Sequence, residues 1–369
     1  NFIIEFKMSN NLIFSIVGAR PHFVKAAPFM EAMKISKYQV FTIHTGQHYD
    51  TKMSDVFFSD LNLPKPDINL GIGSGSHAKQ TASVMTEVEK LIFKFKPIAV
   101  VVYGDTNTTL GSALAAAKQY VPVIHIEAGV RCGNRKMPEE INRGIIDSIS
   151  DFLCCPSDLA VTNLHKEGIK KGVFNIGDFM YDTFLNAKQA SADIKFDLTS
   201  LEIERGGYIL STLHREETTN SVKELCRILD TLGSLDIPVV IPMHPRTKSC
   251  LKKAGLSFKR SDLLKIIEPV GYLQMIYLLN HASLVITDSG GLQKEAYWSG
   301  KHCVTLLRET TWPETVEAGW NTLVGLDTIS MRSAVTNFFD QKLKPNSKRT
   351  EIYGAPGAAK RMIKKLGWI

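Results

Sequence analysis

The chain has 369 residues, a formal net charge of +7 and 44% apolar residues, a length that usually divides into two domains and a composition that fills a core for each. Its Lys and Arg are scattered, which speaks against a nucleic-acid face; the one cluster, residues 360–365 (KRMIKK), reads as the solvated side of a terminal helix. Nothing approaches the length of a membrane span, residues 1–7 lack a signal peptide's apolar region, and Met8 reads as a native start. The six cysteines show no CxxC and no metal-ligand spacing, as expected of a reduced cytoplasmic protein.

In chain order, residues 12–17 form a first strand that breaks into Gly18-Ala19-Arg20-Pro21-His22, and a helix follows. Residues 40–44 form a second strand, ending in Thr45-Gly46-Gln47-His48. The Gly-rich run 71–76 (GIGSGS) has no P-loop lysine and reads as a flexible loop before a helix reaching about Lys94. Residues 99–103 (AVVVY) are an unbroken apolar run, as in a parallel strand buried on both faces, and stop at Gly104-Asp105. An Ala/Leu-rich helix spans about 108–119, and the strand 121–126 ends at Glu127-Ala128-Gly129. Pro138-Glu139-Glu140 then suits a helix's first turn. Strands at 151–155 and 173–176 complete this half.

Residues 186–206 are polar and read as a connection, after which the alternation restarts. Strands at 208–213, 239–243, 264–267, 284–287 and 302–307 end respectively at His214-Arg215, His244-Pro245, Glu268-Pro269, Asp288-Ser289-Gly290-Gly291 and Arg308. The expected fold is α/β: two Rossmann-like doubly wound domains facing a cleft, at residues 8–185 and 207–350. A C-terminal helix in 351–369 is expected to cross back to the first domain.

In open α/β sheets, ligands sit beyond the carboxyl ends of strands. Asp105 and Glu127 fall at two such ends, with Glu139-Glu140 one loop away. Any one of these carboxylates alone would be read as a helix cap; the set reads as an acid/base site. Ser289-Gly290-Gly291 at a strand-to-helix turn exposes backbone N–H groups suited to a phosphate, and Glu295 one turn on is placed to accept from a ribose diol. Arg20 and Lys25 flank the first strand end, where an Arg forks onto a diphosphate. His214 stands where a leaving diphosphate needs a proton or a donor. A GxGxxG fingerprint is absent, which argues against nicotinamide chemistry.

Taken together, Gly18-Ala-Arg-Pro with Lys25, Thr45-Gly-Gln-His48, Gly104-Asp-Thr-Asn-Thr-Thr109, His125-Ile-Glu-Ala-Gly129, Pro138-Glu-Glu-Ile-Asn-Arg143, Thr212-Leu-His-Arg215 and Thr287-Asp-Ser-Gly-Gly-Leu-Gln293 resemble the non-hydrolysing UDP-N-acetylglucosamine 2-epimerases. The resemblance runs from about Leu12 to Gly325. It implies a GT-B-type fold, a homodimer and a UDP-sugar substrate, with no nucleic-acid or membrane partner. Carried onto matching positions, it implies catalytic roles for Asp105, Glu127, Glu139, Lys25 and His214. It implies substrate and UDP contacts at Arg20, Gln47, His48, Arg143, Arg215, His244, Pro269, Tyr272, Ser289, Gly290, Gly291, Glu295 and Arg308. The C2–H of such a sugar is not acidic, so the chemistry expected is elimination of UDP to 2-acetamidoglucal and re-addition after protonation on the other face. That route needs no redox cofactor or metal.

The chain also departs from the best-known members. His22 stands where they carry Glu, Trp312 where many carry Arg before Pro-Glu, and Tyr49-Asp50 where substrate-activated members carry an Arg-containing segment. Residues 134–138 and 316–321 look closer to a subgroup that includes UDP-2,3-diacetamido-2,3-dideoxyglucuronate 2-epimerases. Three other readings compete. A glycosyltransferase of the same fold would often show Glu-x7-Glu, but Thr287 sits eight before Glu295. A hydrolysing epimerase would use the same elimination, and a silent sugar-nucleotide sensor would need no catalytic carboxylates.

Overall fold

A computed structural model of the chain describes residues 11–46, 59–194, 196–256, 261–343 and 352–369. The expected contacts Gln47 and His48, with Tyr49 and Asp50, lie outside the described residues. The chain divides into two compact units, residues 1–183 with 351–369, and residues 184–350.

The first unit is built on a seven-stranded parallel sheet of order β3-β2-β1-β4-β5-β6-β7. Its strands are β1 (Leu12–Val17), β2 (Gln39–His44), β3 (Ile68–Asn69), β4 (Ala99–Tyr103), β5 (Val123–Ile126), β6 (Phe152–Cys155) and β7 (Val173–Asn175). The side-chain period of two splits the central strands between two cores. Ile13 and Val17 of β1 join Ala99, Val101 and Tyr103 of β4 on one face, while Phe14 and Ile16 join Val100 and Val102 on the other. Both faces are apolar, which is why these strands read as continuous runs. The first core includes Ala358, Ala359, Met362, Ile363 and Trp368, so the helix Ala358–Lys365 packs on this unit with its lysines outward. On the second face, the helices His77–Phe95 and Asn107–Lys118 touch at Gly111, where a Cβ would stand 2.7 Å from the Thr81 carbonyl oxygen.

The second unit carries a six-stranded parallel sheet of order β10-β9-β8-β11-β12-β13. These are β8 (Ile209–Thr212), β9 (Val239–Pro242), β10 (Leu264–Ile267), β11 (Leu284–Thr287), β12 (His302–Thr305) and β13 (Asn321–Leu323). Ile209, Ile241, Leu284, Ile286 and Val304 form the core of one face with Leu225, Ile228, Leu229 and Leu232 of the helix Val222–Gly233. Leu-rich burial at this spacing stabilises by about 2 kcal/mol or more per side chain.

Helix and strand positions follow the sequence reading to within a residue or two at most ends. β3 and β13, two and three residues long, are too short to carry a periodic signal. The helix Phe179–Ser191 runs further than the polar composition from Asn186 suggests. Strand order reverses between β1 and β4 in one sheet and between β8 and β11 in the other; such switch points open the crevices where α/β sheets take ligands.

Candidate functional site

In the first unit, the turns after β1, β4 and β5 bring together side chains far apart in sequence. Lys25, buried on the helix Arg20–Met33, places Nζ 2.7 Å from Glu127 Oε1 with the two side chains 5% and 11% exposed. Gly104 lies against this pair at φ +62°, and a Cβ there would stand 3.1 Å from Lys25 Nζ. Glu127 itself sits at φ +75°, a left-handed conformation costing a non-glycine residue about 1–3 kcal/mol and found mostly where function demands it. Its N–H donates to the Cys154 carbonyl at 3.1 Å, which pins the turn to β6.

The second cluster is centred on Arg143 of the helix Pro138–Ile149. Its guanidinium spans Asp105 Oδ2 at 2.5 Å and Glu140 Oε2 at 2.7 Å. Burial alone would press its pKa down; the two carboxylates more than reverse this and hold it above its ordinary value. Burial likewise presses Glu140 upward, but Arg143 and the N–H groups of Cys132 and Gly133 bring it below the usual carboxylate range. Asn142 donates to the Asp105 carbonyl at 2.7 Å, so the main chain of Asp105 is held as firmly as its side chain. Of the two adjacent glutamates, the predicted Glu139 is half-buried and Glu140 is the buried, paired one. Glu140 belongs to the carboxylate set expected from the sequence, but only Glu139 carries an expected catalytic role. The signal was a polar face at Glu140, Arg143 and Asp147, spaced three and four apart on one helix. Arg20 is half-buried at the first turn of its own helix.

In the second unit, Ser289 caps the helix Gly290–Ser299, leaving the early N–H groups of that helix at the carboxyl end of β11. Arg215 Nη2 lies 3.5 Å from where a Gly290 Cβ would be, and Trp312 Nε1 lies 3.8 Å from it, so this helix start is bordered by a cation and an indole. Asp288 is fully buried; its Oδ2 accepts from the backbone N–H of His214 at 2.7 Å and of Arg215 at 2.9 Å. Its Oδ1 lies 3.2 Å from His214 Nδ1. The loop after β8 is thus tied to the loop after β11 by Asp288, to which the sequence alone assigns no role. The His214 ring packs against His244, centroids 5.1 Å apart. Glu295 is buried, its Oε1 accepting from the Tyr272 hydroxyl at 2.9 Å. Burial raises its pKa to about 7, partly offset by that hydrogen bond and by Lys294. Pro269 and Arg308 are exposed.

Chemically, the first unit presents carboxylates paired with cations at adjacent strand ends, an arrangement suited to proton transfer. The second presents a helix start suited to an anion, bordered by a cation and followed by a buried acceptor, an arrangement that could hold a nucleoside diphosphate. Among the described residues no group of ligands suited to a metal ion occurs, and no helix is long and apolar enough to cross a membrane. Fold and sites together define a sugar-nucleotide enzyme of the GT-B type. The chain belongs to the UDP-N-acetylglucosamine 2-epimerase family, whose model matches residues 31–367.

Three similar proteins illustrate the relationship. A UDP-N-acetylglucosamine 2-epimerase homolog of Methanococcus maripaludis is 46% identical over 88% of this chain and 92% of its own. A UDP-2,3-diacetamido-2,3-dideoxy-D-glucuronate 2-epimerase of Pseudomonas aeruginosa is 41% identical over 96% of this chain and 99% of its own. The crystal structure of Methanocaldococcus jannaschii UDP-GlcNAc 2-epimerase, in complex with UDP-GlcNAc and UDP, superposes with a TM-score of 0.87. It is 38% identical over 97% of this chain and 99% of that one.

Proposed function

We propose that the chain is a non-hydrolysing UDP-N-acetylglucosamine 2-epimerase, interconverting UDP-GlcNAc and UDP-ManNAc. The observation that carries the reading is the pairing of Lys25 with Glu127 and of Arg143 with Asp105 at adjacent strand ends. Epimerisation at a carbon without an adjoining carbonyl calls for elimination: the C2–H bond gives its electrons to C1=C2 as the C1–O bond to the diphosphate breaks. Asp105, Glu127 and Glu139 supply the groups that take the C2 proton and return one on the other face. Lys25 and Arg143 offset the charge of the paired carboxylates and fix their orientation. In the second unit Arg215, His214 and the N–H groups at Ser289–Gly291 receive the charge that develops on the departing UDP. Glu295 accepts from the ribose.

Proton NMR in D2O with UDP-GlcNAc tests this. UDP-ManNAc carrying deuterium at C2 is the expected product; free ManNAc with UDP would overturn the non-hydrolysing reading. The second reading, a UDP-2,3-diacetamido-2,3-dideoxyglucuronate 2-epimerase, is supported by the 41% identical Pseudomonas relative and by the residues at 134–138 and 316–321. Turnover of that substrate alone would select it. The proposal extends to a cytoplasmic homodimer supplying a glycan precursor, supported by the motif resemblance; sedimentation of the purified chain tests the dimer.

A further inference from the structure

We propose that His125 is a charged positioning residue for the epimerisation, a doubly protonated imidazolium that clamps the Gly104 carbonyl and so sets Asp105 and Glu127. His125 is fully buried in β5. Its Nδ1 lies 2.7 Å from Asp147 Oδ1 and its Nε2 2.7 Å from the Gly104 carbonyl oxygen. A carbonyl oxygen only accepts. The Asp147 Oδ2 takes the Gly129 N–H at 3.1 Å and pairs with Arg131 at 2.7 Å, contacts that favour an ionised carboxyl whose Oδ1 accepts as well. A neutral imidazole has one N–H and would turn a lone pair toward one of these oxygens. Against an ionised Asp147, only the form with both protons satisfies both short contacts.

The surroundings accommodate that charge. Burial pushes the Asp147 carboxyl up, but His125 and Arg131 more than reverse this and keep it ionised. Arg131 continues to Glu167 at 2.7 Å, so two cations alternate with two anions and sum to zero.

What the clamp positions is also visible. The Gly104 N–H donates to the Ile126 carbonyl, and with His125 on its carbonyl the residue is held from both sides at φ +62°. Asp105 follows directly, and Glu127, in its own left-handed conformation, lies two residues beyond His125. The Asp147 bond to the Gly129 N–H holds the far side of the Glu127 turn. Removing the imidazolium leaves a buried carbonyl without its donor and frees the turn that carries one carboxylate. Displacing a reacting group by about 1 Å is enough to cost on the order of 100-fold in rate.

The proposal rests on the epimerase reading, and two measurements keep the two apart. Neutron diffraction from deuterated wild-type crystals near pH 7 reads the protons without any substrate: deuterons on both His125 ring nitrogens are expected, and a single one overturns the assignment. In steady-state kinetics, His125→Asn is expected to lower kcat about 100-fold, with KM and the UDP dissociation constant within about threefold of wild type. His125→Gln, whose amide nitrogen reaches the place of Nε2, is expected to recover about tenfold. A His125→Asn enzyme with kcat within about threefold of wild type overturns the positioning role. Should neither variant fold, the wild-type neutron map alone decides. A wild-type enzyme that turns over neither UDP-sugar refutes the epimerase reading instead, and leaves the His125 charge to the map.

Discussion

Replacing Lys25 with Met separates the worth of an ion pair from the cost of breaking it. Lys25 Nζ and Glu127 Oε1 are 2.7 Å apart, with side chains 5% and 11% exposed. At an effective dielectric constant of about 20 the attraction is about 6 kcal/mol, and taking two ions out of water offsets most of that. The pair as a whole therefore contributes little. Lys25→Met keeps the length of the side chain and removes its charge, stranding the Glu127 carboxylate. The expected loss is about 3–5 kcal/mol. Adding Glu127→Gln removes the stranded charge, so the double variant is expected to lie within about 2 kcal/mol of wild type. Urea unfolding of the four proteins, compared at equal m, reads the cycle. A Lys25→Met cost below about 1 kcal/mol, or additivity within about 0.5 kcal/mol, would refute the reasoning, because the two groups would then not be sharing one desolvated site.

Other perturbations address the remaining groups. Asp105→Asn leaves the nucleotide-binding groups of the second unit intact, so deuterium incorporation at C2 should vanish while UDP affinity stays within about threefold; turnover surviving would remove Asp105 from the chemistry. Glu295 has a native pKa near 7 against an ordinary 4.5. The native state therefore binds the extra proton between those values, and stability falls as pH rises through that window, by about 3 kcal/mol in all. Glu295→Gln should abolish that slope in urea midpoints measured from pH 4.5 to 7; an unchanged slope would show that Glu295 titrates normally. Asp288→Asn weakens two charge-assisted bonds to the His214 and Arg215 main chain, and UDP affinity by calorimetry is expected to fall about tenfold.

The two parallel sheets were legible in the chain because a strand covered on both faces is apolar at most positions, and because each apolar run stops at a glycine, a proline or a polar residue where the chain turns toward solvent. The strand ends named the candidate sites for the same reason. Which of two neighbouring carboxylates is buried and paired was not legible. Glu139 and Glu140 differ by about 100° around one helix, and burial of Ile146 and Asp147 on that helix fixes the rotation that sends Glu140 inward. Local sequence equally carried no sign of the Asp288 ties.

What the sequence determined by itself was the layered α/β architecture and the family, through short motifs whose spacing is local. What only the tertiary structure decided was pairing across the fold. Lys25 meets Glu127 across 102 residues and Arg143 meets Asp105 across 38, while His125 finds Asp147 across 22. A charge is cheap in water and costly in a core, so the partner of each buried ion is set by whichever strand end the folded sheet delivers beside it.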